Sequence, residues 1–369
     1  MKEYLDVLRD IVDNGWDHED RTGSGRRSLT GLMLKFDVSD GTVPLITTRQ
    51  QYPKSIIGET LWFLKGSSCT KELRELGVKF WDRWAVTEAD IDAFIAKYIP
   101  DDVERDTAFI KAMSDDIGHQ HLGNIGPIYG PNWRNAPADL GNPLRRSSEF
   151  NDIPSDKLKT YRKEYIEQNT IGDQCDIDEA EFVDYAVSRY DQTVDQLNEL
   201  VLNLKRRPYS SRHIVSAWVP QYIPYEDLSP QENVLLGKGA LAPCHMTFQC
   251  FVKPGKTEQD RKQLSLLVYF RSNDVPVGMP VNIAQYSIIL HLLAHVTDMD
   301  PGTLIYTAGD YHCYLDQLDV AKIQLSRNPY PLPGIWVNPE VKDLYALTSD
   351  DIEIIGYQPH GVLTYPVSV

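Results

Sequence analysis

The order of segments in the C-terminal half constrains this chain most. Three short stretches rich in β-branched and aromatic residues, His213–Trp218, Cys244–Val252 and Leu264–Phe270, read as strands. A long apolar helix from Ile283 to about Val296 follows, then a strand at Thr303–Thr307 and a further helix after Tyr314. Strands and helices in this irregular order predict an α+β fold rather than a repeating βαβ one.

The N-terminal half supplies more of both. Tyr4, Leu5, Leu8, Ile11 and Val12 have helical spacing over residues 2–14, and Gly15 is a plausible stop. Leu32, Leu34, Phe36 and Val38 alternate as in a strand. A second helix is expected over Lys54–Lys65, with Ile56, Ile57, Thr60, Leu61 and Leu64 facing inward, Gly66 ending it and the carboxylate of Glu59 within it. Helical spacing returns from Phe182 to Leu204. Residues 86–123 and 137–180 are polar with little sustained periodicity, and read as surface insertions on a core.

Composition narrows the function. No run of about 18 apolar residues predicts a membrane span, and the mixed, charged Met1–Asp6 start has no signal-like apolar core, so a cytoplasmic protein is expected. The five cysteines form no C-x-x-C pair, which predicts free thiols with neither a zinc site nor a disulfide framework. A formal net charge of −16 argues against a nucleic-acid binder. An anionic substrate would therefore have to be met by locally gathered arginines.

Two kinds of residue invite chemistry. Cys244 follows Pro243 at the mouth of a strand, in a restricted backbone geometry; it reads equally as a nucleophile or as a buried core cysteine. Its neighbour His245 should point to the opposite face of the strand, which makes it a poor base for a cysteine hydrolase. Arg21 in Asp20–Gly25, Arg212 after Ser210-Ser211, and Arg271 before Ser272 each sit beside hydroxyl residues at the end of an element. Singly each reads as a surface arginine; together they suit a phosphate clamp.

The ordered blocks Asp20–Gly25, Ser55–Leu64, Trp81-Asp82-Arg83-Trp84, Gly126-Pro127-Ile128-Tyr129-Gly130, Ile214–Trp218, Ala240–His245, Arg271–Asn282 and Gly309–Tyr314, with the Gly356–Val369 tail, resemble the family of thymidylate synthases and pyrimidine-nucleotide hydroxymethylases, the latter found notably in bacteriophages. The resemblance spans the chain apart from the two polar insertions. It implies a single catalytic domain over 1–369, a large mixed sheet packed by helices, and a sheet-to-sheet homodimer. It implies dUMP and 5,10-methylenetetrahydrofolate as substrates, with no metal. Cys244 would attack C6 of the pyrimidine, with Arg271 favouring its thiolate. Glu59, Tyr129 and Asp274 would share the proton and folate chemistry. Arg21, Arg271, Ser272 and, from a second subunit, Arg212 would hold the phosphate. His312 and Tyr314 would bond the deoxyribose, while Trp81, Trp84, Asp274, Gly278 and Val369 would line the folate site. Asn282 would read the base, where its amide matches uracil O4 and N3–H and favours dUMP over dCMP; its position before Ile283 also suits a helix N-cap.

The pattern departs from thymidylate synthases at three places. Ser211-Arg212 replaces an arginine pair, Phe270 replaces a glutamine, and Pro276, Val277 and Val281 replace bulkier residues. A looser pocket admits water. The expected product is therefore 5-hydroxymethyl-dUMP, with dTMP the alternative and a non-catalytic nucleotide-binding homologue a third reading.

Overall fold

The computed structural model describes residues 1–367 except 21–22, 99–113, 116, 119, 139–147, 170–178 and 258. Its strands in chain order are β1 (Trp16–His18), β2 (Arg26–Asp37), β3 (Ala136–Pro137), β4 (Thr193–Val194), β5 (Ile214–Ser216), β6 (His245–Lys253), β7 (Gln263–Asp274), β8 (Asp300–Tyr314), β9 (Gly334–Val337) and β10 (Ile352–Ile355). One mixed sheet runs β1-β2-β8-β7-β6-β5. Within it β7 and β8 are parallel and the other neighbours antiparallel. Parallel neighbours need a crossover, and the Gly278–Val296 helix provides it. The architecture is α+β, a large mixed sheet packed by helices.

The crossover helix has the length and apolarity of a membrane span, but it is a core helix, with nearly every side chain from Ile283 to Val296 buried. Each fully buried Leu or Ile contributes roughly 1.5–3 kcal/mol. It starts five residues earlier than expected, with Val277 as N-cap, so the N-cap reading of Asn282 is wrong. Pro280 is tolerated because first-turn amides have no intrahelical partner. The Pro53–Lys65 helix packs against it and ends at Gly66, whose φ of 77° is left-handed. A Cβ on Gly66 would also come within 2.8 Å of Arg134.

The single helix expected over Phe182–Leu204 is two, Glu179–Tyr190 and Gln196–Arg206. Asp195 breaks the periodicity: its side chain accepts from the Asn198 amide as an N-cap, while Thr193–Val194 pair with Ala136–Pro137. Nor are the polar regions bare decoration. Val86, Ile91 and Ile95 enter the main core. Ile153, Tyr161, Tyr165, Phe182, Ala186 and Tyr190 form a second, smaller core. Fully buried Arg134 ties that region down, with Nε 2.8 Å from Asp195 and Nη1 3.1 Å from Asp156.

On one face of the main sheet, helices 2–14 and 278–296 cover β2, β7 and β8. On the other, Met33, Ile214, Phe251 and Tyr269 stay exposed, with Met33 and Tyr269 on either side of Thr307 in β8.

Candidate active site

Strand direction assembles the site. Because β7 and β8 are parallel, Arg271–Asp274 and Asp310–Tyr314 finish at the same end of the sheet, on its two central strands. Antiparallel β6 begins there, which brings Cys244 beside them. The Gly278–Val296 helix starts from the same end.

Arg271 grips the loop that carries Cys244. Its amide donates to Cys244 O at 2.9 Å, Nε to Pro243 O at 2.8 Å and Nη2 to Ala242 O at 2.9 Å. The same Nη2 lies 3.9 Å from Cys244 Sγ. Nη1 has no hydrogen-bond partner among the described residues, so the guanidinium keeps donors for an anion. The half-buried sulfur sits in competing influences: burial pushes the thiol up, and the Arg271 charge with the Tyr129 hydroxyl only partly offsets this. Arg271 pulls toward the thiolate as expected, and burial opposes it.

Tyr129 OH accepts from the Cys244 amide at 3.1 Å, and its ring stacks on His245 at 3.5 Å. His245 turns into the core, with Nδ1 2.7 Å from Tyr286 OH, and burial lowers its pKa to about 3. As the strand alternation predicts, it is not a partner base for Cys244. Phe270 is buried as well, stacked on Tyr306 at 4.6 Å. Its replacement of a polar residue therefore falls on the core behind the site.

A row of polar side chains lies beyond the sulfur. Trp81 Nε1 donates to Glu59 Oε1 at 2.5 Å and Gln285 Nε2 to Glu59 Oε2 at 2.7 Å. Asn282 Nδ2 donates to Gln285 Oε1 at 3.2 Å, Asn273 Nδ2 to Asn282 Oδ1 at 3.2 Å, and Tyr306 OH to Asn273 Oδ1 at 2.7 Å. Burial raises the Glu59 carboxyl above its ordinary range, against the pull of the Trp81 and Gln285 hydrogen bonds.

Asp310 collects a second group. Its Oδ2 accepts from Ser272 Oγ at 3.1 Å and lies 3.2 Å from His312 Nδ1 and 3.1 Å from Arg26 Nη1. The Ser272 hydroxyl is thus committed to a carboxylate and would have to turn to meet a phosphate. The Tyr314 ring lies 5.3 Å from that of His312. Asp274 accepts from the Val277 amide at 3.1 Å and from Gln317 Nε2 at 3.3 Å. Gln317 Nε2 also donates to Pro366 O at 2.9 Å, which holds the C-terminal tail against the site. Burial raises the Asp274 carboxyl, with His312 the main opposing influence.

The thymidylate synthase family model matches residues 2–369. The chain belongs to the thymidylate synthase family. Family membership supports one-carbon transfer to dUMP with methylenetetrahydrofolate as co-substrate, and the match includes both regions read as insertions. The residues present suit a folate. The half-buried Trp84 ring offers flat apolar surface 5.4 Å from buried Trp81, whose indole holds the Glu59 carboxylate, and a pterin is a flat ring carrying N–H donors.

The structure brings Cys244, Tyr129, Arg271 and Asp274 to one end of the sheet, and links Asn282, Glu59 and Trp81 by hydrogen bonds. Gly278 opens the crossover helix, where a Cβ would come within 3.5 Å of Asn282 Oδ1. Arg212 stands apart, exposed in the turn before β5, its amide 3.2 Å from Ser210 Oγ. Arg21 and Val369 lie outside the described residues. Sequence reasoning missed Asn273, Gln285 and Asp310. Asp310 stood within a quoted block, but its pairing opposite Ser272 depends on strand register.

Proposed function

We propose that this member of the thymidylate synthase family converts dUMP to 5-hydroxymethyl-dUMP within a single catalytic domain. The observation that carries the reading is Cys244 Sγ, partly exposed and 3.9 Å from Arg271 Nη2, at the end of the sheet from which the helix carrying Asn282 starts, with Asn282 linked through Gln285 to Glu59. When bound, 5,10-methylenetetrahydrofolate supplies an electrophilic one-carbon unit. Cys244 Sγ bonds to C6, and the displaced π pair passes toward O4 and makes C5 nucleophilic. Asn282 and Glu59 hold O4 and N3–H. After C5 takes the carbon unit, its proton leaves through water held by Tyr129. The tetrahydrofolate nitrogen departs to leave an exocyclic methylene on the base; water adds to it, and the C6–S bond breaks as the ring double bond re-forms. Arg271, Arg21 and Ser272 bind the phosphate together with the partner subunit's Arg212. His312 and Tyr314 bind the sugar, and Trp81, Trp84, Asp274, Gly278 and the tail to Val369 enclose the folate.

Two observations support the finer points. Val277 and Val281 are small and only partly buried at the start of the crossover helix, which leaves water a route to the methylene. The exposed Met33, Ile214, Phe251 and Tyr269 put large apolar side chains on the sheet face that helices 2–14 and 278–296 leave uncovered, which suits a sheet-to-sheet homodimer, with Arg212 in the turn leading to Ile214.

A second reading, thymidylate synthase, is favoured by the Trp81–Glu59 bond and the docked tail, which would exclude water and let hydride quench the methylene. One assay separates them: mix protein, dUMP and methylenetetrahydrofolate, follow dihydrofolate by absorbance and identify the nucleotide by mass. Hydroxymethyl-dUMP without dihydrofolate supports the proposal. Production of dTMP with dihydrofolate overturns it in favour of the second reading. Neither product, with no tritium released from 5-tritiated dUMP, leaves a nucleotide-binding protein without this chemistry.

A further inference from the structure

We propose that Gln285 is a positioning residue that fixes which way Asn282 presents its amide, and thereby makes the site select uracil over cytosine. The proposal rests on the reading of Asn282 as the residue that contacts the base. Gln285 stands one helical turn beyond Asn282 in the crossover helix and is 2% exposed.

Its orientation follows from chemistry rather than from the choice of amide atoms. An ionised carboxylate only accepts hydrogen bonds, and an indole N–H only donates. With Glu59 ionised and taking Trp81 Nε1 on one oxygen, the group facing its other oxygen at 2.7 Å is the Gln285 NH2. The Gln285 carbonyl then faces Asn282, whose Nδ2 donates to it at 3.2 Å. Asn282 Oδ1 is left toward Asn273 Nδ2, also at 3.2 Å. At the far end Tyr306 OH can rotate to suit either direction, so Glu59 sets the sense of the whole row.

Asn282 thus retains one N–H and one oxygen lone pair, each on a fixed side. Uracil presents an acceptor at O4 and a donor at N3; cytosine presents a donor at N4 and an acceptor at N3. To suit cytosine Asn282 would have to turn over. Asn273 could turn with it, because the Tyr306 hydroxyl adapts, but the Asn282 oxygen would then face the Gln285 oxygen that Glu59 holds in place, a mismatch in a site partly shielded from water.

The test compares Gln285→Met, close in length but without hydrogen bonds, with Gln285→Glu, which still offers Asn282 an acceptor. Tritium release from 5-tritiated dUMP gives dUMP affinity, and competition by dCMP gives the affinity for cytosine. Gln285→Met should reduce the preference for dUMP by about tenfold or more, whereas Gln285→Glu should keep that preference while slowing turnover. Asn273→Asp attacks the row from the other side by turning a donor into an acceptor, and should likewise erode the preference, which covers a Met variant that does not fold. A Met variant that weakens both nucleotides in proportion overturns the proposal and leaves Gln285 a packing residue. A Gln285→Glu variant that loses the preference as Met does overturns it too. Absence of tritium release from the wild-type protein would instead sink the functional reading, and this inference with it.

Discussion

Replacing Arg271 by Met tests the electrostatics at Cys244, the proposed nucleophile, directly. The guanidinium nitrogen lies 3.9 Å from Cys244 Sγ. At that separation a charge pair is worth about 1 kcal/mol in a water-like medium and about 4 kcal/mol at an effective dielectric near 20. The site is partly open, so the lower part of that range applies, about 1–2 kcal/mol, or roughly one pKa unit. Burial already holds the thiol above its ordinary value and Arg271 pulls it down, so loss of the charge moves it further up. Only the thiolate reacts with iodoacetamide. Below its pKa, Cys244 in Arg271→Met should therefore alkylate about tenfold more slowly, with the inflection displaced upward by about one unit. Arg271→Lys keeps the charge but not the fork that holds Pro243 O and Ala242 O, and should alkylate close to the wild-type rate. Peptide mass spectrometry separates Cys244 from the other thiols. An unchanged profile in a folded Met variant, or a Lys variant as slow as Met, would refute the reasoning.

Other predictions follow from the same geometry. With the Glu59 carboxyl raised by burial, a reaction that needs it ionised should gain rate with rising pH through a value above the ordinary carboxylate range. Glu59→Gln should abolish that limb and slow tritium release by about a hundredfold or more; a retained limb assigns the titration elsewhere. Arg134→Met leaves buried Asp195 with the Asn198 amide and, as its one remaining cation among the described residues, Lys157 at 3.3 Å, and should destabilise the fold by about 3 kcal/mol, read as a lower urea midpoint. An unchanged midpoint would show that the cluster adds nothing. Mixing inactive Cys244→Ala and Arg212→Ala subunits should restore part of the activity, since hybrid dimers would carry one intact site; no recovery counts against a shared site.

Apolar periodicity made the main helices legible. The Ile56–Leu64 stripe and the run from Ile283 could have no other place than a core, and both are buried. Strand lengths were less legible. The β8 strand runs from Asp300 to Tyr314, although Gly309-Asp310 looks like a turn in isolation; pairing with β2 on one side and β7 on the other carries it through. The helix break at Asp195 escaped notice because capping is a local preference that periodicity ignores. At the site, residue type and position drew attention to Cys244 and Arg271, but only the resemblance of the ordered blocks separated them from a core cysteine and a surface arginine; β7 in fact continues past Arg271 to Asp274. The roles of Asp310 and Gln285 could not. One depends on the register that sets it opposite Ser272, the other on two distant helices meeting so that Gln285 reaches Glu59.

The most direct measurement of the central claim is a covalent trap. Fluorine at C5 of 5-fluoro-dUMP cannot leave as a proton does, so the adduct formed with methylenetetrahydrofolate should persist. Mass spectrometry of the digested protein should find nucleotide and folate together on the Cys244 peptide, and nothing on Cys244→Ala. A wild-type protein that binds both ligands yet carries no added mass on Cys244 would contradict the account.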